Sequence, residues 1–89
     1  MFPALSFSDK QPELIYMLSK KEFTAEVAKR IKKWREKRNV SQEELAHRAG
    51  LYRTYVGHLE NARYSPSAYV LYKIGKALKV EISDFYPLL

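Results

Sequence analysis

Arg53, Thr54, Gly57 and His58 lie within six residues of one another, and their side chains suit hydrogen bonding to a polar edge rather than covalent chemistry. The Arg53 guanidinium is a planar fork whose two parallel donors match the N7 and O6 acceptors of guanine, a contact that discriminates by about 1–3 kcal/mol. Thr54 can hydrogen-bond or set its methyl against thymine, and Tyr55 can meet a base or a phosphate. His58, one turn on, can donate or accept, and Gly57 lets the backbone approach closely. The competing reading leaves Arg53 and His58 as solvated surface residues. Catalytic and metal chemistry find no such support. His47 and His58 stand eleven residues apart with no carboxylate or thiol at ligand spacing, and the chain has no cysteine,. Neither a nucleophile–base constellation nor a Gly-rich phosphate loop is present. No catalytic residue, metal site, cofactor or small-molecule ligand is expected, and an enzyme is the weakest reading for so short a chain.

Such a set of polar side chains acts only if rigid elements present it. Ser41-Gln42-Glu43-Glu44 has the capping-box pattern, with Val40 and Leu45 as a hydrophobic staple. It starts a short helix that turns Leu45, Ala46 and Ala49 inward and stops at Gly50. After Gly50-Leu51 the helical spacing resumes over about 52–61, with Val56 and Leu59 facing inward. Upstream, Val27, Ile31 and Trp34 recur on one face of a helix capped at Thr24 and stopped by Asn39. Downstream, Ser65-Pro66 begins a helix with Val70 or Leu71, Ile74 and Leu78 as its stripe. Ser83 can cap a last short helix. No alternating strand pattern is found, so the chain reads as all-α. Residues 1–22 read as an N-terminal extension with room for a short helix over about 12–20, and residues 23–89 as the domain.

The chain has 89 residues with 16 Lys+Arg against 10 Asp+Glu, a formal charge of +6. That length holds one domain and one core. A basic surplus favours an anionic partner, with nucleic acid or an acidic protein surface as ordinary candidates. The absence of cysteine suits a reducing cytoplasm. The apolar run near the N-terminus, Leu14 to Leu18, is five residues, against about 20 for a membrane span, so no membrane association is expected. Seven of the ten residues from Lys29 to Arg38 are basic. A helix spreads such a run over all its faces, so most of it should be solvated rather than a phosphate-facing stripe. Trp34 reads as core.

Ser41-Gln42-Glu43-Glu44-Leu45-Ala46-His47-Arg48-Ala49-Gly50, followed by Val56, Leu59-Glu60-Asn61, Pro66, Ile74, Ala77-Leu78 and Val80, resembles the Cro/phage-repressor helix-turn-helix family over roughly residues 24–86. Within it, Leu51-Tyr52-Arg53-Thr54-Tyr55-Val56 with Gly57 and Glu60 is most similar to the controller proteins of restriction-modification systems. The resemblance implies a lambda-repressor-like five-helix DNA-binding domain whose helix at 52–61 enters the major groove of double-stranded DNA. Arg53, Thr54, Tyr55, Gly57 and His58 are then the base contacts. Gln42, at a helix N-terminus with free N–H groups, is expected on a phosphate. The resemblance extends phosphate contact to Asn61, Arg63 and Tyr64, and Tyr52, in place of a small polar cap, leaves N–H groups for water or a phosphate. Six phosphate contacts per dimer would give a salt slope of about −5.

The family match also implies a buried ion pair between Arg35 and Glu60, against the alternative of two exposed charges. Members of this family bind palindromic half-sites as homodimers. The apolar end Ile82, Phe85, Tyr86, Leu88 and Leu89 is the first candidate for the interface and Leu14 to Leu18 the second, unless these residues only complete the monomer core. Ala62 stands where glycine is common, and Gly75 takes a usual alanine position. The leading expectation is a dimeric, cytoplasmic regulator, a restriction-modification controller or its near neighbour a prophage repressor. The rival is an antitoxin-like module that grips a protein partner with residues 1–22.

Overall fold

Ser19 has an extended backbone, and its hydroxyl accepts from the Glu22 amide at 3.0 Å while the Glu22 carboxylate accepts from the Ser19 amide at 2.8 Å. This reciprocal cap satisfies two of the helix's otherwise unpaired donors, and it opens the first helix of the computed structural model, which describes residues 17–87. The elements are α1 (Lys20–Lys37), α2 (Gln42–Ala49), α3 (Tyr55–Glu60), α4 (Ala68–Leu78) and a closing 3₁₀ turn (Ile82–Phe85). All regular structure among the described residues is helical. The fifth helical element is thus a single 3₁₀ turn rather than an α-helix.

Several boundaries differ from the sequence expectation. α1 starts at Lys20, not beyond Thr24, so a boundary between 22 and 23 falls inside it, and Thr24 is buried rather than capping. The expected helix over about 12–20 lies outside the described residues as far as residue 16, and 17–19 are not helical. α3 is shorter than 52–61 because Tyr52, Arg53 and Thr54 form a turn, closed by the Tyr55 amide donating to the Tyr52 carbonyl at 3.0 Å. Ser67, not Ser65, caps α4 by accepting from the Val70 amide at 3.1 Å. The last turn is held by the Glu81 amide donating to Asp84 at 2.9 Å, a role expected of Ser83. At α2 the Ser41 hydroxyl accepts from the Glu44 amide at 3.0 Å, but the Glu44 carboxylate takes Arg48 at 2.8 Å instead of reaching back.

Ile31, Leu45, Val56, Leu59, Ile74, Leu78 and Phe85 are essentially without exposure and form the core with Val27 and Leu71. Phe85 is therefore an internal residue that seals the bottom of α1 and α4. As an interface residue it is corrected: its ring is already spent inside the monomer. Of the same expected set, Ile82 is half-buried against the core and Tyr86 packs on Phe23 with ring centroids 5.8 Å apart. Leu88 and Leu89, like most of Leu14 to Leu18, lie outside the described residues. Gly75 allows the close approach of the chain after α4, since a Cβ there would sit 2.9 Å from the Val80 carbonyl oxygen.

The basic run on α1 is dispersed. Lys29 and Arg30 both bond Glu26, at 3.2 and 2.7 Å, and these hydrogen bonds, Arg30's first, hold the Glu26 carboxyl below the usual glutamate range. Arg38 donates to the carbonyls of Leu78 and Lys79, at 2.8 and 3.3 Å, tying α1 to the end of α4. Lys37 and Arg38 also cover the ring of Trp34, which packs partly buried on the core.

Candidate nucleic-acid interface

Two buried side chains, Val56 and Leu59, anchor the six-residue α3. Their spacing forces the intervening positions outward, so Gly57 and His58 join Arg53 and Thr54 of the preceding turn on one side. The turn itself exists because Gly50 takes a left-handed conformation (φ 67°) at the end of α2, which a residue with a Cβ adopts only at a cost. The Leu51 amide then donates back to the Ala46 carbonyl at 2.8 Å. α2 and α3 are thereby set at a fixed angle by a short, hydrogen-bonded connection.

A buried charge network fixes α3 from behind. Arg35 of α1 donates from Nε to Glu60 Oε2 at 2.6 Å and from Nη2 to Oε1 at 3.1 Å, and from Nη1 to the Val40 carbonyl at 2.8 Å. The side chains are 12% and 3% exposed. Hydrogen bonding to Glu60 raises the Arg35 guanidinium above its ordinary value, so the guanidinium stays charged at any working pH. Gln42 joins this network, its Nε2 donating to Glu60 Oε1 at 2.9 Å. Its amide oxygen lies across Gly57, 3.4 Å from where a Cβ would stand. The first residue of α2 is thus positioned by the last residue of α3.

On the outer side, Gln42, Glu43, Arg53, Thr54, Gly57, His58, Asn61 and Arg63 line one open recess. Asn61 Nδ2 donates to the Gly57 carbonyl at 2.9 Å and the Arg63 amide to the His58 carbonyl at 2.9 Å, which carries the chain round the end of α3. Ala62 takes φ 59° to make that turn, a left-handed conformation that favours glycine,. Tyr64 then folds back, stacked on Tyr55 at 5.5 Å and edge-on to His58 at 5.4 Å. Tyr52 is apart from the recess: it is 85% exposed and borders a separate depression with Gly50, Leu51, Tyr55 and Val70. The structure therefore groups Arg53, Thr54, Gly57, His58, Gln42, Asn61 and Arg63, sets Tyr55 and Tyr64 beside them as a stacked pair, and leaves Tyr52 on the neighbouring edge.

Two contacts at this face had no signal in the sequence pattern. Arg53 Nε donates to Glu43 Oε2 at 2.6 Å, and Gln42 leans on Glu60; the partners are ten and eighteen residues apart, beyond the reach of helical periodicity. Among the described residues no helix is long and apolar enough to cross a membrane, and no group of three or more His, Cys, Asp or Glu side chains is placed to hold a metal. The face is an open surface that offers hydrogen-bond donors from Arg53, His58, Asn61 and Arg63 beside the Glu43 carboxylate.

Comparison with known proteins agrees with this geometry. The family model described as helix-turn-helix matches residues 31–85. An uncharacterized helix-turn-helix-type transcriptional regulator from Archaeoglobus fulgidus is 42% identical over 57 residues, spanning 64% of this chain and 80% of that protein. Among solved structures, the restriction-modification controller protein C.AhdI from Aeromonas hydrophila is similar with a TM-score of 0.69 and 30% identity, over 71% of this chain and 96% of that one. The biofilm master regulator SinR, solved in complex with DNA, is similar with a TM-score of 0.63 and 30% identity, over 66% of this chain and 95% of that one.

Proposed function

Because the chain belongs to the helix-turn-helix family of DNA-binding transcriptional regulators, we propose that it reads palindromic half-sites as a homodimer with α3 in the major groove. The observation that carries this reading is the recess: Arg53, Thr54, Gly57 and His58 converge on it, with Gln42 on one flank and Asn61 and Arg63 on the other. Arg53 reads guanine, Thr54 and His58 read neighbouring bases, and Gly57 admits the helix to the groove floor. Gln42, Asn61, Arg63, Tyr64 and, from the adjoining edge, Tyr52 hold phosphates, which set register rather than sequence. One α3 offers few base contacts, so two copies about one helical turn apart supply the specificity. Ile82 and Tyr86 belong to the surface where the copies meet.

Likeness to C.AhdI over almost the whole of that protein favours a restriction-modification controller, acting in the cytoplasm on its own operator, activating at one site and repressing at another. The test is selection of duplexes from a random pool at about 150 mM salt, where sequence-indifferent attraction is already weakened, with light scattering of the bound species. A two-fold symmetric site occupied by two chains, and an Arg53→Ala variant that ceases to discriminate at one base pair per half-site, support the reading. Discrimination should fall by roughly 5- to 150-fold, the worth of one bidentate contact. Binding that is indifferent to sequence would refute it and redirect attention to a protein partner.

A further inference from the structure

We infer that Glu43 is a positioning residue for base recognition, holding the Arg53 guanidinium by one edge so that its other end is presented to the DNA; this rests on the reading of α3 as the base-contacting helix. Glu43 sits in the first turn of α2, whose start is fixed by the Ser41 cap. Its Oε2 accepts from Arg53 Nε at 2.6 Å, and both side chains are open to solvent, 63% and 80%. That bond uses Nε alone. Among the described residues the Nη1 and Nη2 donors of Arg53 have no partner, and those are the donors that meet guanine O6 and N7 in the end-on fork geometry. A long Arg side chain otherwise loses considerable rotamer freedom when it engages a base. A carboxylate on a capped helix reduces that loss beforehand.

The other acidic groups nearby are committed elsewhere, Glu44 to Arg48 and Glu60 to Arg35 and Gln42. Glu43 is the one acid among the residues that line the recess. Its charge faces the side where phosphates would lie and repels them. It therefore sharpens sequence choice twice, by aiming Arg53 and by weakening sequence-indifferent attachment.

The test uses the full chain and the duplex selected by it. Arg53→Ala first identifies the base pair that Arg53 reads. Discrimination at that base pair, and affinity for an unrelated duplex, are then measured for Glu43→Ala, Glu43→Gln and the Glu43→Ala/Arg53→Ala double variant at about 150 mM salt. Glu43→Ala is expected to lower discrimination at the Arg53 base pair by about two- to fivefold, the strength of an exposed ion pair, and to bind the unrelated duplex more tightly. Glu43→Gln keeps an acceptor for Nε, so it should retain discrimination while binding the unrelated duplex more tightly. The double variant should discriminate no worse than Arg53→Ala. Unchanged or improved discrimination in Glu43→Ala, with Arg53→Ala still losing it, overturns the role of Glu43 alone. If Arg53→Ala relaxes no base pair, the reading of α3 falls and the inference with it.

Discussion

Glu60→Ala removes the centre of the network that seats α3. Three hydrogen bonds go with the carboxylate, two from Arg35 and one from Gln42, and the Arg35 guanidinium, 12% exposed, keeps the Val40 carbonyl and, at 3.9 Å, the exposed Glu36 carboxylate. Deleting one partner of a buried pair leaves an uncompensated charge, at a cost of about 3–5 kcal/mol. Domains carry roughly 0.05–0.15 kcal/mol per residue of stability, so the variant forfeits about a fifth of the total or more. At about 4–8 °C per kcal/mol for a domain of this size, the melting temperature should fall by at least about 12 °C. Urea denaturation followed by circular dichroism and by Trp34 fluorescence gives the free energy directly. A second variant separates charge from shape. Arg35→Met with Glu60→Leu fills the same space without charge and should recover to within about 1–2 kcal/mol of the parent. A loss below about 1 kcal/mol in Glu60→Ala, or a double variant as unstable as the single one, would refute the reasoning, because the pair would then be behaving as a surface contact.

Ala62→Gly should stabilise the protein by about 0.5–1 kcal/mol, since Ala62 stands at φ 59°, where a Cβ costs about 1–2 kcal/mol and glycine's extra chain entropy offsets only part of the relief; an unchanged or lower urea midpoint contradicts this. Gly75→Ala should destabilise by up to about 2 kcal/mol, because a Cβ 2.9 Å from the Val80 carbonyl forces the α4 end apart at about 1–3 kcal/mol, against a helix-propensity gain of about 1 kcal/mol. A more stable variant would show that the close approach is not a constraint. The Glu26 carboxylate, held down first by Arg30 and then by Lys29, should titrate below the ordinary glutamate value by NMR. Its contribution is present above the unfolded-state value and is lost as pH falls through the lower folded one; an ordinary or raised midpoint would contradict the contacts.

The parts legible in the sequence were those governed by local chemistry. Ser41, Leu45 and Gly50 announce α2 because caps, staples and left-handed stops act within a few residues. Val56 and Leu59 announce α3 by their spacing alone. The start of α1 was harder: Ser19 and Glu22 form a capping box, yet Lys20 and Lys21 between them supply no apolar period to extend. The sequence pattern overstates the length of α3 because Tyr52 to Thr54 keep a helical spacing while their backbone forms a turn. Phe85 could not be assigned from pattern, since a short apolar tail reads alike whether it folds under its own helices or waits for a partner. The Arg35–Glu60 pair spans 25 residues and was legible only through family resemblance. Nothing in spacing or resemblance pointed to Glu43 and Arg53 meeting, because that contact depends on the angle between α2 and α3.

The claim that one face, made of the α2 start, α3 and the Asn61–Tyr64 turn, reads DNA is tested most directly by chemical-shift mapping. The isotopically labelled chain is titrated with its selected duplex and amide and side-chain resonances are followed at about 150 mM salt. The largest changes should fall on Gln42, Glu43, Tyr52 to His58 and Asn61 to Tyr64, with the Arg53 guanidinium among them, while the outer faces of α1 and α4 move little. Changes centred on Tyr69, Tyr72 and Lys76 of α4, or on the Lys29 to Lys37 stretch of α1, with α3 undisturbed, would contradict it.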